Sequence, residues 1–142
     1  MIDLFFDFVF DYFAVEVADL DAAIRAYVDL FGYHQATQPV VNTRHRVEVV
    51  FLEKAGSLPI KLFRPLGGAR PVPTKLHHVA FRTRALDAAI AALQARGARV
   101  LASPAPGEAF DDEPIAFLYA GGINVELVAT DKRRGRLPPP AS

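Results

Sequence analysis

The chain contains no cysteine, no net charge and no apolar run long enough to cross a bilayer. The lack of cysteine excludes disulfides, thiolate metal sites and a cysteine nucleophile. With 16 basic and 16 acidic residues, nothing indicates a nucleic acid or an anionic membrane as partner. The apolar beginning, MIDLFFDFVFDYF, is interrupted by Asp3, Asp7 and Asp11 and has no basic region before it, which is untypical of a signal peptide. We therefore expect a cytoplasmic protein.

The 142 residues are 51% hydrophobic, which is enough for one domain with its own core. We predict that this domain spans residues 1–130. The remaining stretch, residues 131–142, reads DKRRGRLPPPAS, and a basic segment followed by prolines predicts a solvated tail.

The pentapeptide LDAAI occurs twice, at residues 20–24 and 86–90, and each copy has the same surroundings. A β-rich run precedes each copy, at residues 12–17 and 78–83, and a glycine follows each predicted helix. Asp19 can cap the first helix, and Gly32 and Gly97 suit the left-handed residue that ends one. The first helix carries an apolar stripe at helical spacing, formed by Leu20, Ala23, Ile24, Tyr27 and Phe31.

Strand-like text follows each helix. RVEVVFLEK and LPIKLFRP flank the turn at residues 55–57, while PIAFLYA and INVELVA flank Gly121 and Gly122, and both pairs are typical of hairpins. Weaker runs precede them, at residues 34–41 and 98–102. Each half is therefore predicted to be βαβββ, with module one at about 8–66, a Pro/Gly-rich linker at about 67–75 and module two at about 76–130.

Paired βαβββ modules with these strand texts resemble the vicinal oxygen chelate superfamily, which includes glyoxalases, extradiol dioxygenases and bleomycin-resistance proteins. Within it, KLHHVAF, PIAFLYAGGINVELV and IKLFRPLGG are most similar to the methylmalonyl-CoA epimerase family. The resemblance covers roughly residues 8–130. It implies an α+β fold in which the two modules form one cupped, pseudo-twofold mixed sheet with the helices outside.

The resemblance also implies a divalent metal in the cup, held by the first and last strands of each module. The corresponding positions here are Tyr12, Lys61, His78 and Glu126. The second module keeps the family's histidine and glutamate, whereas the first module has lost both of its ligands. A lysine ammonium has three donors and no lone pair for a metal, and a tyrosine would have to ionise from a pKa of about 10.

Two interpretations of these substitutions stay open beside the catalytic one. In the catalytic interpretation Lys61 replaces the metal and polarises a substrate carbonyl, Glu126 or His78 is the base, and Tyr12 donates a proton or a hydrogen bond. Alternatively, Lys61 and Glu126 form only a structural ion pair. In the third case one divalent ion (Co, Ni, Mn or Zn) is retained by His78 and Glu126, with His45 as the third ligand.

Strand alternation predicts which neighbours face the cup. The predicted substrate-binding residues are Phe10, Glu16, Phe63, Arg82 and Asn124. Glu16 and Arg82 could instead form a salt bridge at the rim, and His77 is expected to face away from the cup. A cup that mixes aromatic and charged residues suits a partly apolar ligand with a carbonyl or carboxylate.

Our first functional hypothesis is an isomerase, epimerase or lyase of biosynthesis that moves a proton alpha to the carbonyl of an acyl thioester or polyketide-like acid. The second is a non-catalytic protein that sequesters a small molecule, and the third is a metal-dependent epimerase using His45, His78 and Glu126. The short turn YAGGIN lacks the lysine expected to contact coenzyme A. The resemblance further implies a homodimer, in which Phe5, Phe6 and Phe8 could cover an edge or an interface.

Overall fold

The computed structural model describes residues 7–67 and 75–140. Most of the predicted linker, together with Phe5 and Phe6, lies outside these residues. The described residues form nine strands and two α-helices in the order that the duplicated pattern predicts, β1 (Val9–Glu16), α1 (Leu20–Phe31), β2 (His34–Gln35), β3 (Val40–Asn42), β4 (Val47–Glu53), β5 (Ile60–Pro65), β6 (Lys75–Arg82), α2 (Leu86–Ala95), β7 (Arg99–Pro106), β8 (Pro114–Ala120) and β9 (Ile123–Val128). A short 3-10 helix, Glu108–Phe110, precedes β8.

The described strands form a single mixed sheet. Its order is β2-β4-β5-β1-β6-β9-β8-β7, with β3 paired to β4 outside this path. The first and last strands of each module are parallel neighbours, β1 with β5 and β6 with β9. The antiparallel pair β1–β6 joins the modules at the centre of the sheet. The predicted α+β fold is therefore confirmed. Module two is βαβββ as predicted, whereas the weak run predicted at residues 34–41 of module one is divided into β2 and β3, which gives that module one more strand.

The two helices start differently although their sequences begin alike. The Asp19 side chain accepts a hydrogen bond from the backbone N–H of Ala22 at 3.0 Å, and Gly32 ends α1 with φ 76°, as predicted. In α2 the cap position is Ala85. There the Asp7 carboxylate accepts from the backbone N–H of Arg84 at 3.0 Å, so a residue distant in sequence serves the start of α2.

Each helix packs on its own half of the sheet. Leu20 of α1 packs with Val50 and Leu62, and Leu86 of α2 belongs to a cluster with Leu118 and others. The predicted stripe of α1 ends early, because Phe31 is 57% exposed. A third cluster holds aromatic residues of both modules, including Tyr12, Phe51 and Phe110. Neither helix within the described residues is long and apolar enough to cross a membrane.

Two local irregularities change which side chains face the cup. The pairing of β1 with β6 skips Asp11, between the pairs Phe10–Phe81 and Tyr12–Ala80. It skips His77 as well, between Ala14–His78 and Val15–Leu76. An extra residue in one strand reverses the alternation on that side of it.

The segment after β9 is mostly exposed, as predicted, but parts of it are attached to module one. Among residues 131–140, the backbone of Gly135 and of Leu137 hydrogen-bonds to Gln38 and Ala36 of module one at 2.8 Å. The side chain of Arg133 is buried, where it donates to Asp11 at 2.9 Å and lies 4.5 Å from the centroid of the Phe51 ring. The basic composition predicted an exposed segment. Instead, the Arg133 guanidinium pairs with the buried carboxylate of Asp11 and packs against aromatic rings.

Candidate active site

The four positions that the family resemblance implies meet around one carboxylate oxygen. Glu126 Oε1 accepts hydrogen bonds from Lys61 Nζ at 2.9 Å, from His78 Nε2 at 2.9 Å and from the Tyr12 hydroxyl. Lys61 Nζ lies 3.4 Å from His78 Nε2. All four side chains are buried, and Tyr12 and Glu126 are 0% exposed. The equivalent strands of the two modules therefore bring together Tyr12 and Lys61, which differ from the family's ligands, and His78 and Glu126, which match them.

The contacts fix the charges of this group. Burial alone would raise the pKa of the Glu126 carboxyl, but the Lys61 ammonium and the hydrogen bonds from His78 and Tyr12 outweigh it and hold the pKa below the usual range. Burial, assisted by the charge of Lys61, lowers the pKa of His78 to about 4. Burial and the charge of Glu126 raise the pKa of Tyr12 well above its ordinary value. At neutral pH Glu126 is a carboxylate, His78 a neutral imidazole and Tyr12 a protonated phenol.

These charges also determine where the imidazole hydrogens lie. A carboxylate can only accept, so His78 Nε2 carries the hydrogen that faces Glu126. His78 Nδ1 is then an acceptor, and it lies 2.8 Å from Nδ1 of His77, which must donate. Both nitrogens of His78 are therefore engaged. His77 shares the cup with His78, contrary to expectation, because the bulge at His77 lets two successive residues face one side.

A cavity of about 410 Å³ opens above this group. Lys61 and His78 form part of its wall, whereas Tyr12 and Glu126 are absent from the wall that the described residues form. Since Glu126 contacts both wall residues and is fully buried, it lies behind them. A ligand in the cavity meets the ammonium of Lys61 before it meets the carboxylate.

Three of the five predicted substrate-binding residues line the cavity, namely Glu16, Phe63 and Asn124. The other two, Phe10 and Arg82, are not among the described residues that form the wall. The Phe10 ring lies 5.1 Å from the Phe81 ring, since the bulge at Asp11 turns it away from Tyr12.

Arg82 points to Asp11 instead of the cavity, with Nη1 3.7 Å from Asp11 Oδ2. The alternative interpretation, a rim salt bridge between Glu16 and Arg82, is also wrong. Glu16 pairs with Lys75 instead, at 3.5 Å.

Sequence reasoning missed much of the opposite wall. The unpredicted lining residues are Asn42, Val47, Pro65, His77, Leu101, Ala102 and Phe117. Most of them lie on short or irregular strands, for which alternation does not predict the side of the sheet that a side chain faces. Phe110 was also missed: it lies in an acidic segment that looks solvated, yet it is buried and its ring stacks on that of Tyr12.

His45 lies in the cavity wall on the turn between β3 and β4. Its ring packs edge-on against Phe117, with the centroids 5.1 Å apart. Burial, with a contribution from the charge of Arg44, lowers the pKa of His45. Its Nε2 atom is buried and has no hydrogen-bond partner within residues 7–67 and 75–140.

The donor set does not fit the divalent ion that the family resemblance implies. Lys61 places a positive charge 2.9 Å from Glu126 and 3.4 Å from His78, where a metal would need lone pairs. His45 does not complete a ligand set, because no three His, Asp or Glu residues in the described parts of the chain are grouped to hold a metal. We therefore derive the chemistry of the site from its own side chains.

Comparisons with known proteins agree with this fold. The family model described as the glyoxalase/bleomycin resistance protein/dioxygenase superfamily matches residues 11–117. An ethylmalonyl-CoA/methylmalonyl-CoA epimerase of Cereibacter sphaeroides is 30% identical over 127 residues, which cover 84% of this chain and 93% of the relative.

Two solved structures extend the comparison. The crystal structure of methylmalonyl-CoA epimerase from Mycobacterium tuberculosis is 30% identical with a TM-score of 0.71, covering 84% of this chain and 85% of that one. A variant of Streptomyces coelicolor methylmalonyl-CoA epimerase, in complex with 2-nitronate-propionyl-CoA, is 26% identical with a TM-score of 0.70, covering 84% and 94%. The chain thus belongs to the glyoxalase/bleomycin resistance protein/dioxygenase superfamily and is similar to its methylmalonyl-CoA epimerases.

Proposed function

We propose that the protein is an epimerase-like enzyme that moves a proton alpha to a substrate carbonyl, with the Lys61 ammonium in the role of the electrophile. One observation carries this proposal: the ammonium is part of the cavity wall and lies 2.9 Å from a buried carboxylate. A cation and a base in contact are the two groups that enolate formation requires.

Lys61 binds the carbonyl oxygen of the substrate. The ammonium has three donors, and its contact to Glu126 uses one of them. As the alpha C–H bond breaks, the electron pair moves onto the carbonyl oxygen, and the positive charge stabilises the resulting enolate. The effect is strong because the surroundings exclude water: Lys61 is only 5% exposed.

Glu126 is a better candidate for the base than His78. Both nitrogens of His78 are engaged in hydrogen bonds, whereas Glu126 Oε2 accepts none from the described residues. When Lys61 shifts toward a bound carbonyl, Glu126 loses its closest positive charge, and its basicity rises. Tyr12 and His78 keep the carboxylate in place through the hydrogen bonds that they donate to Oε1.

The substrate class we propose is an acyl thioester, with a polyketide-like acid as the alternative. The named relatives act on or bind coenzyme A esters. The cavity is large enough for a short acyl group, and Phe63 and Phe117 give it apolar walls. The basic contact in the turn between β8 and β9 is missing, since this turn is Gly121-Gly122. Recognition therefore depends on the acyl end of the ligand.

The test is exchange of the alpha hydrogen in deuterium oxide, with methylmalonyl-CoA as the probe. We expect the wild-type protein to incorporate deuterium faster than a protein-free sample, and Glu126→Gln to reduce this rate by about 10²–10⁴-fold. Glu113→Gln is the matched control, because Glu113 forms an exposed ion pair with Lys132. A folded Glu126→Gln variant that exchanges as fast as the control would disprove the role of Glu126.

A non-catalytic binding protein is the second candidate. The observation in its favour is that Tyr12, Lys61 and His78 all donate hydrogen bonds to Glu126 Oε1. Under this alternative a bound acyl thioester remains chemically unchanged. Mass spectrometry of methylmalonyl-CoA recovered after equilibrium binding in deuterium oxide separates the candidates, because only the enzyme adds mass to the ligand.

We also propose a homodimer in the cytoplasm. Large apolar side chains are exposed on β1 and β6, the strands that join the modules: Val9, Phe13 and Leu76. Phe8 is not available for this purpose, since it is half-buried and its ring packs edge-on to Phe81. Light scattering of the purified protein tests the dimer, and Phe13→Ser with Leu76→Ser should shift it toward monomer.

A further inference from the structure

Lys61 is a buried amine at the cavity, and its neighbours are those that activate a nucleophile. Its Nζ atom lies 2.9 Å from Glu126 Oε1, and the residue forms part of the cavity wall. Glu126 Oε1 is held in turn by hydrogen bonds from Tyr12 and His78. A nucleophile in hydrogen-bond contact with a base, which further groups orient, is the arrangement that covalent catalysis requires. The role of Lys61 as an electrophile uses its charge but not its capacity to form a bond.

The environment of Lys61 differs from that of the other three lysines of the chain. Lys54, Lys75 and Lys132 are exposed, whereas Lys61 is only 5% exposed. Four aromatic rings surround Lys61 Nζ, with their centroids between 5.4 and 6.0 Å away, those of Tyr12, Phe63, Phe110 and Phe117. A carbonyl that reaches this amine meets little competing water, and an imine formed there is protected from hydrolysis.

We propose that Lys61 forms a Schiff base with a small neutral aldehyde or ketone in the cavity, with Glu126 moving the protons. The wall determines this ligand class. Lys61 is the sole lysine or arginine among the described residues of the wall, so once it is the nucleophile no cation there holds a carboxylate. Phe63 and Phe117 offer apolar contacts instead. This activity does not depend on the proposed function, because it requires neither a thioester nor an enolate.

The ion pair between Lys61 and Glu126 accounts for every proton in the reaction. Glu126 takes a proton from the ammonium, and its basicity rises as the positive charge beside it disappears. The neutral amine attacks the carbonyl carbon, and Glu126 returns the proton to the oxygen. A second transfer of the same kind removes a proton from nitrogen and delivers it to the hydroxyl group, so that the C–O bond breaks and water leaves. One ammonium and one carbonyl thus give one protonated imine and one water, with the carboxylate regenerated.

The product retains the contact that stabilises the buried carboxylate. A protonated imine carries one positive charge and one N–H group, so it donates to Glu126 Oε1 as the ammonium does. Because Glu126 is fully buried, the loss of its ion-pair partner would be costly. Imine formation at Lys61 avoids this cost, whereas a modification that removed the positive charge would not.

The experiment incubates the wild-type protein at neutral pH with benzaldehyde and sodium cyanoborohydride, and peptide mass spectrometry locates the modified lysines. Cyanoborohydride transfers a hydride to the carbon of the protonated imine, which becomes a stable benzylamine. We expect Lys61 to be benzylated about 10²-fold faster than the exposed lysines, since a positioned acid–base group accelerates reactions by at least this factor. Lys54, Lys75 and Lys132 are internal controls in the same sample, so this comparison does not depend on the folding of any variant.

Lys61→Arg keeps a positive charge beside Glu126 but cannot form an imine, so the rapid benzylation should disappear. Lys132→Arg is the matched control and should retain it, because Lys132 forms an exposed ion pair with Glu113. The inference is overturned if Lys61 of the folded wild-type protein reacts no faster than the exposed lysines, or if Lys61→Arg retains the rapid phase. Deuterium exchange into methylmalonyl-CoA tests the proposed function separately: exchange without rapid benzylation supports that function and overturns this inference, and the opposite result does the reverse.

Discussion

The two modules repeat one backbone but carry opposite chemistry at equivalent positions. Lys61 is paired with Ala14 across the β1–β5 ladder, and Glu126 is paired with Ala80 across the β6–β9 ladder. Module one supplies the Lys61 ammonium and the Tyr12 hydroxyl, and module two supplies the carboxylate that accepts from both. The four equivalent positions thus form a complementary set of three donors and one acceptor.

The two helices, in contrast, begin with the same sequence in both modules. Leu20 and Leu86 pack helices on sheets, and that packing depends on size and polarity alone. The four central positions carry no such constraint individually. They are constrained only as a group, because the loss of one partner would leave a buried charge or a buried polar group unpaired.

Among the variants considered, removal of Lys61 should have the largest effect on stability and on activity. Lys61→Met leaves the Glu126 carboxylate buried without its ion-pair partner, so we expect the free energy of unfolding to fall by about 3–5 kcal/mol. Turnover should fall by about 10²–10³-fold, as for the loss of one group that stabilises an oxyanion. Urea denaturation and the deuterium exchange assay measure the two effects.

The double variant Lys61→Met with Glu126→Gln separates folding from function. It removes both charges, so we expect most of the stability to return while activity stays absent. If stability returns and activity returns too, Lys61 is not the electrophile. If the single variant is as stable as the wild type, the buried ion pair does not hold the modules together.

The next largest effect that we expect is a loss of stability at acid pH, caused by His78 of module two. His78 has a pKa of about 4 in the folded protein and an ordinary value of 6.5. As the pH falls below about 6.5, the unfolded chain takes up a proton that folded His78 refuses, so stability declines until the pH reaches about 4. A difference of about 2.5 pH units at about 1.36 kcal/mol each comes to about 3 kcal/mol.

Urea denaturation between pH 7 and pH 5 measures this slope for wild-type protein and for His78→Asn. The free energy of unfolding of the variant should depend less steeply on pH than that of the wild type. Some dependence should remain, because burial also lowers the pKa of His45 and of His77, which likewise reduces stability as the pH falls. Glu126 contributes only at lower pH, since its pKa is held below the usual carboxyl range. Equal slopes in the two proteins would show that His78 is not held neutral by burial.

The sequence was sufficient for the modules because their signals are local and repeated. The LDAAI copies predicted both helices and the strand-like segments predicted the sheet, whereas the four residues that meet at Glu126 came from the family resemblance, with the register between the copies setting them opposite one another. The two faces that were predicted wrongly, those of Phe10 and His77, both lie next to a skipped pair in the β1–β6 ladder. A bulge depends on how two distant strands fit, and neither strand alone contains that information.

The prediction that the last segment is a solvated tail missed the contacts of Arg133 for a similar reason. Arg133 lies in text that reads as a charged tail, and its partner Asp11 is 122 residues away. The charged composition of a segment predicts that it is exposed to water. The Arg133 guanidinium instead contacts a buried carboxylate and three aromatic rings, those of Tyr12, Phe51 and Phe110. Long-range pairs of this kind cannot be predicted from a local window of sequence.

Making module one resemble module two should produce a metal site. Tyr12→His with Lys61→Gln removes the ammonium and adds lone pairs beside His78 and Glu126, the donor set that borderline divalent ions accept. We expect Co²⁺ to stabilise the variant by about 2.7 kcal/mol at about 100 times its dissociation constant. The wild-type protein should show no such shift. Thermal denaturation with and without Co²⁺ measures both, and a shift of equal size in the wild type would contradict the poor fit of its donors.

The helix starts offer the smallest and most local test. Asp19 caps α1 through its own side chain, whereas Ala85 stands at the same place in α2 and the carboxylate of Asp7 serves the neighbouring Arg84 amide. Asp19→Ala should cost about 1 kcal/mol of unfolding free energy, as the loss of an N-cap usually does. Ala85→Ser should add up to a similar amount, because no side chain caps α2 and the Arg84 amide that Asp7 accepts from lies before the helix. Urea denaturation of both single variants measures the two effects, and an Ala85→Ser variant no more stable than the wild type would contradict the expected cap.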